Sequence, residues 1–252
     1  MIIAVWGRSG TGKSLIANEL GRHYARRAKV TVVVDTDMTQ PTLPPKLPDA
    51  PEYNNNKASL GTIFASPQVR DAQVYFHQHH KGSNLFYAGL TKDDNYLSYE
   101  IGMRQYDQAA SFVTACQDIA DVIILDCSSQ RGDPFLAVAL DIADRFLLVH
   151  TPDTKNVCWY LGVKSHLCKI RSDRPGSILH VANAVKKHHA TAEYEKTAGV
   201  EFTAALPYSQ SINEVDGQGS FASFSSDHPG RLWQKRFVSN LIKVLESESN
   251  EQ

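Results

Sequence analysis

The stretch Gly7-Arg8-Ser9-Gly10-Thr11-Gly12-Lys13-Ser14 constrains this chain more than any other feature. It carries the pattern Gly-x-x-x-x-Gly-Lys-Ser. An apolar run, Ile2-Ile3-Ala4-Val5-Trp6, precedes it, and Leu15-Ile16-Ala17-Asn18-Glu19-Leu20 continues from it with amphipathic helical spacing. Strand, glycine loop and helix in this order form a phosphate cradle. The glycines let successive backbone N–H groups turn toward phosphate oxygens, and the helix N-terminus behind them adds partial positive charge. Lys13 is expected to reach the β- and γ-phosphates, and the Ser14 hydroxyl to ligate Mg²⁺. Gly7 through Leu15 are the expected phosphate contacts. The alternative, an ordinary glycine-rich turn, does not explain the strand and helix on either side.

The rest of the chain supports a fold of that kind. Its 252 residues suit one large α/β domain over 1–247, with a frayed Ser/Glu-rich tail at 248–252. Apolar residues make up 42% and charged residues 21%, enough to bury a full core. A net charge of −1 gives no overall drive toward nucleic acid or anionic lipid. The four cysteines, Cys116, Cys127, Cys158 and Cys168, lack Cys-x-x-Cys spacing, so buried free thiols are expected. With no signal peptide and no membrane-length apolar run, a cytoplasmic protein is expected.

Strand and helix signals alternate along the chain. Residues 30–35, 85–89, 121–126, 145–150, 177–183 and 202–206 read as strands. Helices are expected over 14–28, 96–120, 134–143, 153–170 and 229–247. The proline-rich segment 38–57 reads as an irregular surface excursion. This alternation predicts a three-layer α/β/α sandwich on a mostly parallel, twisted sheet, with ligands at the carboxyl ends of the strands.

Acidic residues fall at those ends. Asp126 terminates the apolar run Val122–Leu125, where a carboxylate can hold Mg²⁺. Asp35 and Asp37 end the run before it, where a carboxylate can orient an attacking water or tether the metal shell. Either aspartate alone, or both, could be engaged; turn and helix capping is the competing use.

These residues together resemble the ParA/MinD family of deviant Walker ATPases, a class of P-loop NTPases, over nearly the whole chain. Asp35-Thr36-Asp37 is similar to that family's switch I, and Asp126-Cys127-Ser128-Ser129 to its switch II. Thr151-Pro152-Asp153 resembles the turn after the next strand. Asn183 resembles the family's adenine-reading asparagine, and Leu206-Pro207-Tyr208 its segment bordering the base. The resemblance implies ATP and Mg²⁺ as cofactors, Ser14, Asp37 and Asp126 around the metal, and Lys13, Asp37, Asp126 and Arg8 in catalysis. It also implies slow hydrolysis that switches an ATP-dependent homodimer, and a protein partner in a system that positions plasmids, septa or pilus and secretion machinery, with a TadZ/CpaE-like role favoured.

One position departs from the family. Its signature lysine, which reaches the partner subunit's phosphates, is Arg8 here. The guanidinium keeps the charge but presents a planar fork, so it either acts as an arginine finger in trans or faces solvent. A second resemblance, to bacterial tyrosine kinases, rests on Asp35-Thr36-Asp37-Met38-Thr39-Gln40-Pro41. Thr39 stands where those enzymes have arginine, and no tyrosine follows Tyr208. A nucleotide-bound scaffold with negligible turnover is the remaining alternative.

The last helix, with Leu232, Trp233, Phe237, Leu241, Val244 and Leu245, is expected to pack on the sheet in preference to anchoring in a membrane. For Lys186-Lys187-His188-His189 and Arg171/Arg174, solvated loops are favoured over a DNA contact. His79-His80 lacks partner ligands at metal spacing.

Overall fold

The computed structural model describes residues 1–40, 43–47, 54–65, 69–92, 94, 105–130, 132–174, 177–217 and 231–247. Eight strands form one sheet in the order β3-β4-β2-β5-β1-β6-β7-β8. They are β1 (Ile2–Trp6), β2 (Thr31–Asp35), β3 (His77–Gln78), β4 (Leu85–Ala88), β5 (Val122–Asp126), β6 (Arg145–His150), β7 (Ile178–Val185) and β8 (Phe202–Pro207). The helices are α1 (Lys13–Arg26), α2 (Leu43–Lys46), α3 (Tyr106–Gln117), α4 (Pro134–Ile142), α5 (Thr154–Ile170), α6 (Thr191–Ala198), α7 (Gln210–Gly217) and α8 (Arg231–Ser247). The expected α/β class, a mostly parallel sheet with flanking helices, is what the chain adopts. The chain gathers into two compact units, Met1–Ala4 with Gly21–Asp144, and Val5–Leu20 with Arg145–Gln252.

In the first unit β2 lies between β4 and β5, parallel to both, and β3 closes the edge antiparallel to β4. All five residues of β2 and of β5 are buried, which explains their unbroken β-branched and aliphatic sequences. The pairing brings Asp35 directly opposite Asp126 at the ends of the two strands. Phe112 of α3 packs edge-on to Phe135 of α4. Asp133 caps α4 by accepting the Phe135 N–H, and Pro134 fills the first helical position, where no donor is missed.

In the second unit β6, β7 and β8 run parallel, with register irregularities between β7 and β8. Helix α8 buries Phe237, Val238, Leu241, Ile242 and Leu245, and Arg145 Nε donates to the Leu245 carbonyl at 3.2 Å. From Phe237 onward the apolar stripe of α8 is therefore a packed face, while the side chains of Leu232 and Trp233 lie outside the described ones. Among the described residues, no helix is long and apolar enough to cross a membrane.

Several expectations change. The excursion 38–57 is not wholly a surface segment: its described part includes α2, in which Leu43 and Lys46 are buried, and Leu47 after it is buried too. Helix α3 starts at Tyr106, and 95–104 lie outside the described residues, as do most of the Ser/Gly-rich stretch and the tail 248–252. Cys116 and Cys127 are buried thiols, but Cys158 and Cys168 are exposed because both fall on the solvent side of α5. Arg171 is not a solvated cation. It is 2% exposed, lies over the Phe146 ring and donates through Nε and Nη2 to Ser177 Oγ at 3.0 and 2.7 Å.

Candidate nucleotide-binding site

The glycine loop leaves β1 at Trp6, whose ring packs edge-on against Phe146 and Trp159. Gly7 passes so close to the Val149 carbonyl that a Cβ would collide with it. Gly12 has φ +84°, and a Cβ there would run into the Asn183 side-chain amide. Only glycine meets both demands at that position. The loop is internally bonded: Thr11 N and Oγ1 both donate to the Arg8 carbonyl, at 3.3 and 2.9 Å. Lys13 Nζ donates to the same oxygen at 3.3 Å. The lysine thus lies folded along the loop it is expected to serve.

Asn183, buried at the end half of β7, donates from Nδ2 to the Thr11 carbonyl at 2.7 Å. In this structure its amide braces the loop. Pro207 ends β8 and is exposed. Arg8 is drawn to Asp153, with 3.5 Å between Nη2 and Oδ2 and both side chains partly exposed. Asp153 also caps α5, accepting the Asn156 N–H at 2.7 Å. Arg8 is therefore held within its own subunit by a residue whose other oxygen starts a helix.

Behind that turn is a polar cluster that the sequence reading missed. His150, fully buried at the end of β6, meets Asn156 Oδ1 at 3.2 Å, the Tyr194 hydroxyl at 2.9 Å and His180 Nδ1 at 3.0 Å. Tyr194 in turn donates to Asn156 Oδ1 at 2.8 Å, and its ring stacks on Phe202. These bonds fit a His150 that carries its proton on Nδ1 and accepts from His180 through Nε2, while Asn156 Nδ2 is buried with no hydrogen-bond partner. Burial pushes the pKa of His150 down to about 4. Burial, with His150 alongside, takes His180 to about 3. Both rings are neutral, as a water-poor cluster requires. The available signal was a histidine set in each of two otherwise apolar strands, Leu147-Leu148-Val149-His150 and Ile178-Leu179-His180-Val181.

The acidic residues of the first unit form their own constellation. Asp35 Oδ1 accepts the Asp37 N–H at 3.1 Å, while Asp37 Oδ1 accepts the Thr39 N–H at 2.9 Å. Gln130 Nε2 donates to Thr39 Oγ1 at 2.8 Å, linking the two segments that resemble switches. The Thr36 N–H donates to the Asp126 carbonyl at 3.2 Å. Thr36 Oγ1 donates to Asp133 Oδ2 at 2.7 Å and accepts the Ser128 N–H at 2.8 Å. Burial pushes the Asp133 carboxyl up to about 7, against the pull of its hydrogen bonds from Thr36, Phe135, Leu136 and Ser128.

Lys46 is the residue here that sequence reasoning did not find. Its ammonium lies 2.5 Å from Asp35 Oδ2 and 3.9 Å from Asp126 Oδ2, with the side chain 1% exposed. Burial disfavours the charged form, yet Asp35 and Asp126 together hold the lysine above its ordinary pKa. Asp35, Asp37 and Asp126, all in the first unit, carry hard oxygen donors of the kind Mg²⁺ takes, so their chemistry fits that ion. Among the described residues, no group of three or more His, Cys, Asp or Glu is placed to hold a metal ion by itself.

No family model and no curated protein match the chain. Solved structures do. The cell division ATPase MinD of Pyrococcus furiosus is 19% identical at a TM-score of 0.73, with 98% of each chain covered. The septum site-determining protein MinD of Pyrococcus horikoshii, complexed with Mg-ADP, is 16% identical at 0.73, covering 99% of this chain and 96% of that one. A ParA family ATPase from Chlorobium tepidum is 14% identical at 0.72, covering 97% and 98%. This chain has the fold of the ParA/MinD-type P-loop ATPases, the family its motifs resemble.

Proposed function

We propose that the chain is a Mg²⁺-dependent ATPase of the ParA/MinD type, whose nucleotide state switches a homodimer that positions a partner assembly. The observation that carries this reading is the Gly7–Ser14 loop, closed by Asn183 and free of any Cβ at Gly7 and Gly12, in a fold shared with MinD and ParA ATPases. In this reading the loop amides from Gly7 to Leu15 bind phosphates, and Lys13 leaves the Arg8 carbonyl for the β- and γ-oxygens. Ser14 and Asp126 hold Mg²⁺, with Asp37 in its outer shell or orienting water. The ion, when bound, neutralises charge on the β/γ-phosphates. Asn183 and Pro207 border the base.

Arg8 supplies the trans contact. Its release from Asp153 costs little, because a partly exposed pair contributes about 0–1 kcal/mol. A guanidinium placed on the partner's phosphates stabilises transition-state charge. With Phe237, Val238, Leu241, Ile242 and Leu245 of α8 spent on the protein interior, a protein partner is favoured over a lipid surface, and a pilus or secretion apparatus is the favoured cargo. The protein works in the cytoplasm.

ATP labelled at the γ-phosphate tests the reading. Release of labelled phosphate, dependent on Mg²⁺ and lost in Asp37→Ala, is the expected result. Label on the protein itself would establish the tyrosine-kinase alternative, and neither product would leave the scaffold.

A further inference from the structure

The family resemblance implies Asp37 and Asp126 beside a metal ion, and Asp35 shares the first of those strand ends. The structure adds a charge of opposite sign. Asp35 and Asp126 face each other across adjacent parallel strands, and the Lys46 ammonium reaches both. It comes from the last residue of α2, where Leu43 of the helix and Leu47 just past its end are both buried. Gly89, just past β4, lets α2 approach: a Cβ there would stand 3.2 Å from Leu43 Cγ and 3.3 Å from Asp35 Cβ. The Tyr87 ring lies 6.0 Å from the ammonium. A lysine this deeply buried persists only when paired, and two neighbouring carboxylates need a cation between them. Lys46 supplies it from within the chain.

We propose that Lys46 is a tethered counter-ion that competes with the divalent cation for Asp35 and Asp126, and so sets the magnesium concentration at which nucleotide binds. This rests on the nucleotide-binding reading above. The competition follows from Coulomb's law. A monovalent ammonium and a divalent ion drawn to the same carboxylates repel one another at a few ångströms in a poorly screened interior. Metal loading therefore requires the ammonium to withdraw, and α2 carries it. Removing the ammonium should favour the metal at the expense of the metal-free state, where two carboxylates would be left facing each other.

The test is the magnesium dependence of fluorescent ADP (mant-ADP) binding to the full chain. For Lys46→Met the magnesium midpoint should fall by at least about tenfold. Lys46→Arg, which keeps the charge, should stay close to the wild type. The thermal midpoint of Lys46→Met without magnesium and nucleotide should drop and should recover with both. A lysine with a merely structural role predicts the opposite direction, since damage to the pocket weakens metal binding. An unchanged or raised midpoint in Lys46→Met, with the wild type responding to magnesium, overturns the proposal and leaves the nucleotide reading standing. Should Lys46→Met fail to fold, Lys46→Gln is read by the same criterion. Failure of every protein to bind mant-ADP overturns both readings, and binding by the wild type independent of magnesium overturns this one.

Discussion

The Thr36 hydroxyl donates to the buried Asp133 carboxylate at 2.7 Å, joining the residue after β2 to the cap of α4. Because the same hydroxyl accepts the Ser128 N–H at 2.8 Å, one atom connects the two segments that resemble switch I and switch II. The Gln130–Thr39 hydrogen bond and the Thr36 N–H to Asp126 carbonyl bond join the same two segments.

Thr36→Val keeps the shape and removes the hydroxyl. Asp133 loses a donor while remaining buried, and the Ser128 N–H keeps only the Asp133 oxygen at 3.2 Å. Loss of a buried partner of this kind costs about 1–3 kcal/mol. The urea midpoint should fall accordingly with the slope unchanged.

Gly12→Ala should harm the loop in two ways. The left-handed backbone, at φ +84°, costs about 1–2 kcal/mol for any residue with a Cβ, and the new methyl displaces the Asn183 amide from the Thr11 carbonyl. Calorimetric titration with Mg-ADP should show affinity reduced by an order of magnitude or more. Asn183→Ala, which removes the brace without straining the loop, should show a smaller loss.

Asp153→Asn separates the two tasks of that residue. Asparagine caps a helix about as well as aspartate, so stability should change by less than about 1 kcal/mol. Arg8 then loses its partner at 3.5 Å. Sedimentation with ATP should show a larger dimer fraction than the wild type, and Arg8→Ala a smaller one.

Buried His150 and partly buried His180 give the fold an acid limb. His150 and His180 titrate near 4 and 3 in the folded chain, below the unfolded value of about 6.5. Their contribution is complete above pH 6.5 and is lost as pH falls from there toward 4, because the unfolded state takes up the protons first. Asp133, raised to about 7, acts in the opposite direction over the same range, but one carboxyl opposes two rings. Chemical denaturation should therefore show stability falling between pH 6.5 and 5. In His180→Gln the slope should flatten by up to about 1.4 kcal/mol per pH unit.

The fold was legible where local and global signals agree. The apolar runs of β2, β5 and β6 are almost wholly buried, so their patterns are nearly continuous and their bounds were readable within a residue or two. The glycine loop was legible because its spacing reflects positions, such as Gly12 at φ +84°, that leave no room for a Cβ. Helix α2 was not, because Pro44-Pro45 reads as a breaker, although proline is tolerated in a first helical turn. Lys46 was invisible for a related reason. Its partnership with Asp35 and Asp126 depends on where α2 docks, and nothing in the local sequence separates it from a surface lysine. Helix α6 was missed because its residues are mostly polar, and its signal was the cap at Gly199, with φ +64°. Arg171 shows the same limit: a basic residue at a helix end reads as solvated, and only tertiary packing places it over Phe146.

The most direct test of the central claim is an equilibrium titration of the wild type and Lys13→Ala with Mg-ATP. Lys13 now donates to the Arg8 carbonyl at 3.3 Å, and in this account it exchanges that oxygen for the phosphates. Saturable one-to-one binding by the wild type, weakened by at least about tenfold in Lys13→Ala, is the predicted result. No binding by the wild type, or equal affinity in the two proteins, would contradict the account.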